Sequence, residues 1–357
     1  MAANANLHKA KNAKNDEFYT QLTDVSKELM HYKQHFKDKI VLCNCDDPTW
    51  SAFWKYFHLN FEVLGLKKLI STHYDKTEPT YKMEYTGGDD NDIEVGVKTP
   101  LEGNGDFRNK ECLDLLDECD IVATNPMFSL FREYIATLME HNKKFIIWGN
   151  NNAITYKEFF PLLKEDKVWL GYTANKTLVF RIPDSYAKWD EQETKKMNDG
   201  NHYAKVPAIS VFTNLDIQRR HEKLILWKHY TPEEYPKYDN YNAVEVSKVS
   251  DIPVDYDGVM GVPITFLDKY NPEQFEILGY TGGLGWNEQN DVQTTKEYAD
   301  AKQHNPDGSI TSGGKVNTGA ALRYDSIPAD RYYSASNVKG YLLRTYGRIL
   351  IRKKAGI

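Results

Sequence analysis

The segment 125–128 (Asn-Pro-Met-Phe) directly follows an apolar run, 120–124 (Asp-Ile-Val-Ala-Thr), that has the length of a strand. Asn125 precedes a proline, which favours extended backbone geometry at the asparagine, and Pro126 has a fixed φ. The side-chain oxygen of Asn125 and the carbonyl oxygen of Pro126 can therefore point in the same direction. Two acceptors in fixed positions are suited to hold the two hydrogens of one amino group.

The exocyclic amine of a purine can donate its two hydrogens to such a pair of acceptors. An aromatic amine is a poor nucleophile because its lone pair is delocalised, and two acceptors favour a pyramidal nitrogen whose lone pair faces a methyl donor. Asn125 adds acceptor capacity without charge, so the effect is orientational and electrostatic. Phe128 would stack on the base, a contact worth about 1–3 kcal/mol. A plain Asn-Pro turn after a buried strand is the alternative that this segment alone leaves open.

The elements around this segment alternate between strand-length apolar runs and helical patterns, which predicts an α/β fold with a doubly wound, mostly parallel sheet. The predicted helices are 22–36, 50–60, 109–118 and 130–141, and the predicted strands are 39–44, 67–74, 120–124, 144–149, 167–172, 177–182 and 206–214. Residues 76–104 predict a β-hairpin insertion with strands at 81–85 and 93–97. The alternation ends near residue 216, which predicts a first domain over 1–215 and a second, smaller domain over 216–357.

The composition is that of a globular protein. The chain has 357 residues, of which 41% are hydrophobic and 13% aromatic, and a formal net charge of −6. No apolar run is long enough to span a bilayer and the N-terminus lacks a signal sequence, so we expect no membrane association and a cytoplasmic location in a bacterial or phage-infected cell. The four cysteines lack the spacing of a zinc site, which predicts free thiols and no metal.

Basic residues are concentrated at the C-terminal end of the chain. Residues 331–357 contain no acidic residue and include Arg331, Lys339, Arg344, Arg348, Arg352, Lys353 and Lys354. A local basic stripe on an otherwise acidic protein predicts a phosphate-binding face, with the first five of these residues as DNA contacts. A solvated basic tail is the alternative.

Two further stretches fall at the carboxyl ends of predicted strands, where ligands bind in a doubly wound sheet. The first strand ends in 43–48 (Cys-Asn-Cys-Asp-Asp-Pro), and its carboxylates could accept from an ammonium group or from ribose hydroxyls. The stretch 103–108 (Gly-Asn-Gly-Asp-Phe-Arg) follows the hairpin. There, Asp106 could accept from an adenine amine and Phe107 could stack on its ring.

Several motifs in this order resemble the EcoRI-type adenine-specific DNA methyltransferases, a family of the gamma group of amino-methyltransferases. The matching motifs are N-D-E-F-Y-T at 15–20, C-D-D-P-x-W-S-x-F at 45–53, G-D-F-R at 105–108, D-I-V-A-T-N-P-M-F-S-L-F-R-E-Y at 120–134, N-A-I-T-Y-K-E at 152–158 and V-P-I-T-F-L-D-K-Y at 262–270. The resemblance covers most of the chain.

The resemblance implies a class I methyltransferase sheet that uses S-adenosylmethionine, with a C-terminal domain that reads DNA. It places the flipped target adenine at Asn125, Pro126 and Phe128. The implied cofactor contacts are Phe18, Tyr19 and Thr20 near the methionine part, Cys43, Asn44, Asp46, Asp47 and Pro48 at the first turn, and Asp106 and Phe107 at the adenine. The acidic residue expected after the second strand is ambiguous, because His73 and Asp75 both lie there.

Met127 is a departure from the family pattern, which has Asn-Pro-Pro followed by Phe or Tyr. A non-proline residue loosens the turn by about 0.4–1 kcal/mol, which predicts slower catalysis. A narrowed base pocket would instead leave a DNA-binding protein with impaired turnover.

The leading hypothesis is site-specific N6-adenine methylation of double-stranded DNA, in a restriction-modification system or as a solitary or phage-borne modifier. A cognate restriction endonuclease acting on the same site is a further partner that the resemblance suggests. Amino methylation of RNA or of a protein glutamine is the alternative that keeps the fold, because such enzymes use the same Asn-Pro-Pro-aromatic grip.

Overall fold

The structure is a computed structural model that describes residues 19–45, 47–75, 78–88, 92–182, 194–197, 199–282 and 287–354. The described residues up to Phe159, together with Val168–Ile217, form a first compact unit. A second unit comprises Phe160–Lys167 and the described residues from Gln218 onward. The main change of unit therefore follows Ile217, and the division into two functional domains over 1–215 and 216–357 stays a prediction.

The helices are short, and their ends follow local rules. Those in the described residues are α1 (Leu22–Leu29), α2 (Ala52–Leu59), α3 (Phe61–Leu64), α4 (Lys110–Glu118), α5 (Phe131–Glu140) and α6 (Phe160–Lys164). Ser51 caps α2 by accepting a hydrogen bond from the Trp54 backbone N–H at 3.0 Å. Gly65 ends α3 with a left-handed φ of 63°, a conformation that glycine adopts without strain. None of the described helices is long and apolar enough to cross a membrane.

The first unit contains one large mixed sheet. Its strands are β1 (Ile40–Cys43), β2 (Lys68–Thr72), β3 (Tyr81–Tyr85), β4 (Val97–Pro100), β5 (Ile121–Thr124), β6 (Lys144–Asn150), β7 (Trp169–Leu170), β8 (Lys176–Ile182), β9 (Thr194–Lys196) and β10 (His202–Thr213). The spatial order is β4-β3-β2-β1-β5-β6-β10-β7, with β8 and β9 also paired to β10.

Four neighbouring strands in the middle of this sheet run parallel to one another. Pairing is parallel between β2 and β1, between β1 and β5, and between β5 and β6, whereas the outer pairs are antiparallel. The carboxyl ends of β2, β1, β5 and β6 therefore lie along one edge, called the carboxyl edge below. The expectation of an α/β fold with a large sheet is confirmed, but among the described strands parallel pairing is limited to these four, so a mostly parallel sheet is not borne out.

The second strand of the predicted hairpin lies later in the chain than expected. β3 was expected and pairs antiparallel with β2, so the hairpin extends the main sheet. Residues 93–97 were expected to be its second strand, but the strand is Val97–Pro100. Asp92 accounts for the difference, because its carboxylate accepts from Glu94 N at 3.0 Å and its carbonyl accepts from Val95 N at 3.0 Å. This Asx-type turn takes Ile93 and Glu94 out of the strand.

The core of the first unit is rich in aromatic side chains. Trp54, Trp148, Phe53 and Phe57 are fully buried, and the Phe53 and Trp148 rings meet edge to face at 4.9 Å. Edge-to-face geometry is a favourable arrangement for two aromatic rings and adds to the free energy gained from burial. This core fixes β6 against α2, whose N-terminus follows the first turn.

The long strand β10 bends at a bulge. It pairs with β6 through Ile209–Thr213 and with β8 through His202–Val206, and the register shifts between these two parts. Ala208 has a φ of 59° in the shift. Because Ile209 pairs with Asn150 at the carboxyl end of β6, the earlier part of β10 continues past the carboxyl edge together with β8.

The second unit contains two small sheets. Its strands are β11 (Val244–Glu245), β12 (Met260–Pro263), β13 (Phe275–Tyr280), β14 (Lys302–His304), β15 (Ile310–Ser312), β16 (Ala321–Tyr324), β17 (Tyr332–Ser334), β18 (Tyr341–Arg344) and β19 (Arg348–Lys353). One sheet has the order β11-β12-β19-β13 and the other β15-β14-β17-β18-β16. The C-terminal basic stretch is therefore divided between two sheets.

Candidate active site

The segment after β5 lies at the carboxyl edge, where the sequence predicted it. Thr124 ends β5, is fully buried, and donates its hydroxyl hydrogen to the Asn44 carbonyl, which ties β5 to the turn after β1. Pro126 is buried, whereas Asn125 and Phe128 are partly buried, and Phe128 packs against the aromatic core. The end of β5 is thus held firmly while Asn125 and Phe128 keep some exposed surface.

Met127 has the backbone conformation of a proline. Its φ is −52° and its ψ is 129°, and proline fixes φ near −65 ± 15°. The Met127 carbonyl accepts from Leu130 N at 2.9 Å, which starts the short 3-10 turn Phe128–Leu130. A proline could therefore adopt the same φ at this position.

The turn after β1 is built mainly from buried contacts. The Cys43 side chain is fully buried, and Ser71 donates to the Cys43 carbonyl at 2.8 Å. Asn44 is also buried, and its side-chain oxygen accepts from the Tyr134 hydroxyl of α5. The backbone carbonyl of Cys43 and the side chain of Asn44 therefore hold the turn in place, and Asp46 lies outside the described residues.

Asp47 is engaged by its neighbours. Its carboxylate accepts from Thr49 N at 2.8 Å and from the Tyr81 hydroxyl at 3.0 Å, and the His73 ring nitrogen lies 2.9 Å away. Burial, followed by the Asp47 charge, raises the pKa of Tyr81 well above its ordinary value, so the tyrosine stays a donor. Asp47 thus connects the ends of β1, β2 and β3.

The stretch that contains Asp106 and Phe107 is held beside the end of β2. Asp106 accepts from the Arg108 Nε at 2.8 Å, and Arg108 also lies 3.2 Å from Glu133. The hydrogen bond from Arg108 lowers the pKa of Asp106 despite partial burial. Phe107 is 6% exposed, and its ring meets that of Tyr134 edge to face at 5.0 Å.

Gly105 allows this stretch to approach the end of β2 closely. Its φ is 73°, and a Cβ there would collide with the His73 carbonyl oxygen. Asp75 N donates to the Asn104 carbonyl at 3.2 Å, and the Asp75 carboxylate accepts from Glu78 N at 2.9 Å. The stretch 103–108 and the end of β2 are therefore in direct contact.

The N-terminal segment is joined to the same edge. Tyr19 and Arg181 exchange two backbone hydrogen bonds of 3.0 Å. The Arg181 guanidinium lies 4.1 Å from the centroid of the Trp50 ring, and Trp50 N donates to the Asp47 carbonyl at 2.9 Å. Thr20 is buried next to Tyr19, and Phe18 lies outside the described residues.

Hydrogen bonds and ring contacts thus bring most of the predicted site residues to one edge of the sheet. Sequence reasoning missed four residues that make these connections: Trp50, Tyr81, Tyr134 and Arg181. A signal existed for two of them, because Trp50 lies in the C-D-D-P-x-W motif and Tyr134 ends the longest matching motif. Tyr81 and Arg181 gave no local signal, because their partners are distant in sequence.

The predicted DNA contacts do not form a uniform basic face. Arg331 and Lys339 are exposed, and Arg344 is half-buried and donates to the Thr318 carbonyl at 3.0 Å. Arg352 donates to Glu276 at 2.5 Å. Arg348 requires a correction: its guanidinium lies 2.6 Å from Glu245, and the side chains are only 14% and 5% exposed. Arg348 therefore neutralises a buried carboxylate and is not placed to bind phosphate.

Comparison with known proteins identifies the family of this chain. Residues 6–354 match the family described as adenine-specific methyltransferase EcoRI. The chain is 46% identical over 298 residues to the type II methyltransferase M.EcoRI of Escherichia coli, a match covering 79% of this chain and 91% of that protein.

Two mycoplasma proteins are also similar. The type II methyltransferase M.MpnI of Mycoplasma pneumoniae is 41% identical over 76% of this chain and 84% of its own length. The type II methyltransferase M.MgeORF184P of Mycoplasma genitalium is 39% identical over 76% of this chain and 85% of its own length. No solved structure matches the chain significantly. The protein is an adenine-specific methyltransferase and belongs to the EcoRI family.

Proposed function

We propose that this protein transfers a methyl group from S-adenosylmethionine to the N6 amine of an adenine in double-stranded DNA, at a specific sequence. The observation that carries the proposal is the place of Asn125 and Pro126 at the end of β5, between the ends of β1 and β6. A duplex base is out of reach there, so the adenine must rotate out of the helix, at a cost of a few kcal/mol.

Asn125 and Pro126 hold the amine. The Asn125 side-chain oxygen and the Pro126 carbonyl accept from the two N6 hydrogens, so that the nitrogen lone pair faces the methyl donor. As the N6–methyl bond forms, the sulfur–methyl bond would break, S-adenosylhomocysteine would leave, and one N6 proton would pass to solvent. Phe128 stacks on the base. Neither acceptor carries a charge, so the rate enhancement comes from orientation and from fixed dipoles rather than from a strong base.

The carboxyl edge suits a donor of this kind. S-adenosylmethionine, when bound, supplies an electrophilic methyl group attached to a sulfonium. Two buried hydroxyls at this edge, those of Thr20 and Thr72, have no hydrogen-bond partner within the described ranges of the chain. A buried polar group without a partner is costly, so a polar ligand that reaches these atoms stabilises the site.

The remaining cofactor contacts are distributed along the same edge. Tyr19 and Thr20 adjoin the methionine part, whereas the predicted contacts Phe18 and Asp46 lie outside the described residues. Asp106 and Phe107 adjoin the adenine. Asp75 is the better candidate for the ribose hydroxyls, because both oxygens of a carboxylate accept hydrogen bonds from hydroxyl donors. Asp47, Pro48, Cys43 and Asn44 shape the turn against which the donor lies.

The second unit is proposed to read the target sequence. Its exposed cations Arg331 and Lys339, with Arg344 and Arg352, are candidates for phosphate contacts that fix the register of the duplex. The type II names of the relatives favour a restriction-modification role, in which an endonuclease cleaves the same site when it is unmethylated.

The direct test is identification of the product. The protein is incubated with duplex DNA and labelled S-adenosylmethionine. The DNA is then digested to nucleosides, which are identified by mass spectrometry. We expect N6-methyladenine at one sequence context. Absence of product, or N4-methylcytosine alone, would refute the proposal. Structured RNA and a glutamine peptide serve as competitors, and the family match favours neither of them.

A further inference from the structure

The positively charged side chains along the carboxyl edge differ in the groups that they contact. Arg108 binds Asp106 and Glu133, and Arg132 lies 3.6 Å from Glu158. Each of these charges is balanced by a carboxylate of the protein. They are therefore poorly placed to recognise a further anion.

Arg181 is different. Its guanidinium is stacked on the Trp50 ring, with 4.1 Å between Cζ and the ring centroid. Within the described stretches of the chain, no carboxylate forms an ion pair with it. An aromatic face orients a guanidinium without neutralising it, so its donors stay available to an anion.

The surroundings of Arg181 are those of the proposed methionine end of the donor. Two backbone hydrogen bonds join Arg181 to Tyr19, and Thr20 follows with a buried hydroxyl that has no partner in the parts of the chain that the structure describes. Trp50 lies in the turn after β1 and is 50% exposed. Two segments proposed to contact the donor therefore meet at this stacked pair.

We propose that Arg181 binds the carboxylate of the methionine part of S-adenosylmethionine, and that Trp50 is the positioning residue that orients its guanidinium. This inference rests on the proposed function, because it names one subsite of the same donor. A planar guanidinium matches the two oxygens of a carboxylate, whereas a lysine offers only a point charge. Thr20 supplies a further donor to the same group.

The test compares two ligands by isothermal titration calorimetry, without any turnover: S-adenosylmethionine and its decarboxylated analogue, which lacks the carboxylate. For the unaltered protein we expect tighter binding of S-adenosylmethionine. Arg181→Gln should weaken that binding about 10- to 100-fold, the range for a lost charge-assisted hydrogen bond, and change binding of the analogue less than about 3-fold.

Two further variants sharpen the test. Lys176→Gln removes an exposed charge from the same strand and should leave the affinities for both ligands unchanged. Trp50→Leu keeps Arg181 but removes the ring beneath it. Its preference for S-adenosylmethionine over the decarboxylated analogue should therefore lie between that of the unaltered protein and that of Arg181→Gln. Retained binding of the analogue shows that each variant is folded.

The possible outcomes separate this inference from the proposed function. If the unaltered protein binds neither ligand, the proposed function fails. If it binds S-adenosylmethionine but Arg181→Gln keeps the full preference for the carboxylate, this inference fails while the function stands. An Arg181→Gln variant that loses only DNA affinity would assign Arg181 to a phosphate and would overturn the inference in the same way.

Discussion

Asn125 has the most specific role in this account, because its oxygen is one of two acceptors for a single amine. Asn125→Ala should lower the single-turnover rate of methyl transfer about 100- to 1000-fold, a loss similar to that of one preorganised polar contact in other active sites. Affinity for S-adenosylmethionine should change little. Rapid-quench measurement of the rate, together with calorimetry, separates the two effects.

The matched control is Asn152→Ala, an exposed asparagine in the turn after β6. Its rate should equal that of the unaltered protein. Equal rates for Asn125→Ala and Asn152→Ala would remove Asn125 from the chemistry.

Met127 tests how far the family pattern can vary. Its φ of −52° is one that proline can adopt, so Met127→Pro should fold and should raise the free energy of unfolding by about 0.4–1 kcal/mol. We expect a single-turnover rate at least equal to that of the unaltered chain. A folded Met127→Pro variant without activity would show that the methionine side chain is needed in the base pocket.

Elements are coupled at the site by a few buried hydrogen bonds, and Tyr134 makes one that joins α5 to the turn after β1. Burial raises the pKa of Tyr134 well above its ordinary value, so it remains a donor throughout the working range. Tyr134→Phe leaves the buried Asn44 oxygen without that donor and should cost about 1–3 kcal/mol in urea unfolding. Tyr203→Phe, which removes an exposed hydroxyl, should cost much less, and equal losses would contradict this coupling.

The loop of Asp106 predicts a dependence of stability on pH. The folded-state pKa of Asp106 lies below its ordinary value of 3.8, so the contact with Arg108 stabilises the fold above that value. The contribution is lost as pH falls through the folded-state pKa. Because Arg108 is 46% exposed, Arg108→Gln should cost no more than about 1 kcal/mol at pH 7.

Unfolding in urea at pH 7 and near pH 3 checks this expectation. The difference in unfolding free energy between Arg108→Gln and the unaltered protein should shrink at the lower pH. A difference that grows on acidification would show that another group dominates.

Sequence patterns predicted the central strands well because those strands are buried runs with clear ends. The expected 120–124 and 144–149 correspond to Ile121–Thr124 and Lys144–Asn150. β4 was misplaced because Asp92 forms a turn where the strand was expected, and the Trp54 Nε1 bond to the Ile93 carbonyl joins that turn to α2. A contact between residues so far apart leaves no trace in a local pattern.

At the scale of the whole molecule, the C-terminal cations differ in what they do. Arg331→Gln and Lys339→Gln should weaken DNA binding, and each should lower the slope of log affinity against log salt by about 0.9 if it contacts one phosphate. Fluorescence anisotropy at several salt concentrations measures this slope. Unchanged slopes in both variants would place the phosphate contacts elsewhere.

Arg348→Gln should act on stability. It leaves Glu245 buried without its cation, at a cost of about 3–5 kcal/mol in the unfolding of the protein. The sequence could not distinguish Arg348 from Arg331, because charge is visible in a sequence and its burial partner is not. A stable Arg348→Gln variant with reduced DNA affinity would show that Arg348 binds DNA.

The candidate site was largely predictable from motifs at strand ends, because parallel strands bring their carboxyl ends to one edge. The contacts that join those ends were not predictable. Asp47 meets His73 and Tyr81, and Trp50 meets Arg181, only after the strands have paired.

The most direct test is a crystal structure of the protein with its duplex target and a non-reactive cofactor analogue. We predict that the target adenine lies outside the helix, with its N6 within about 3.2 Å of both the Asn125 side-chain oxygen and the Pro126 carbonyl. An adenine that remains stacked in the duplex, or an N6 held by other groups while Asn125 faces away, would contradict the mechanism.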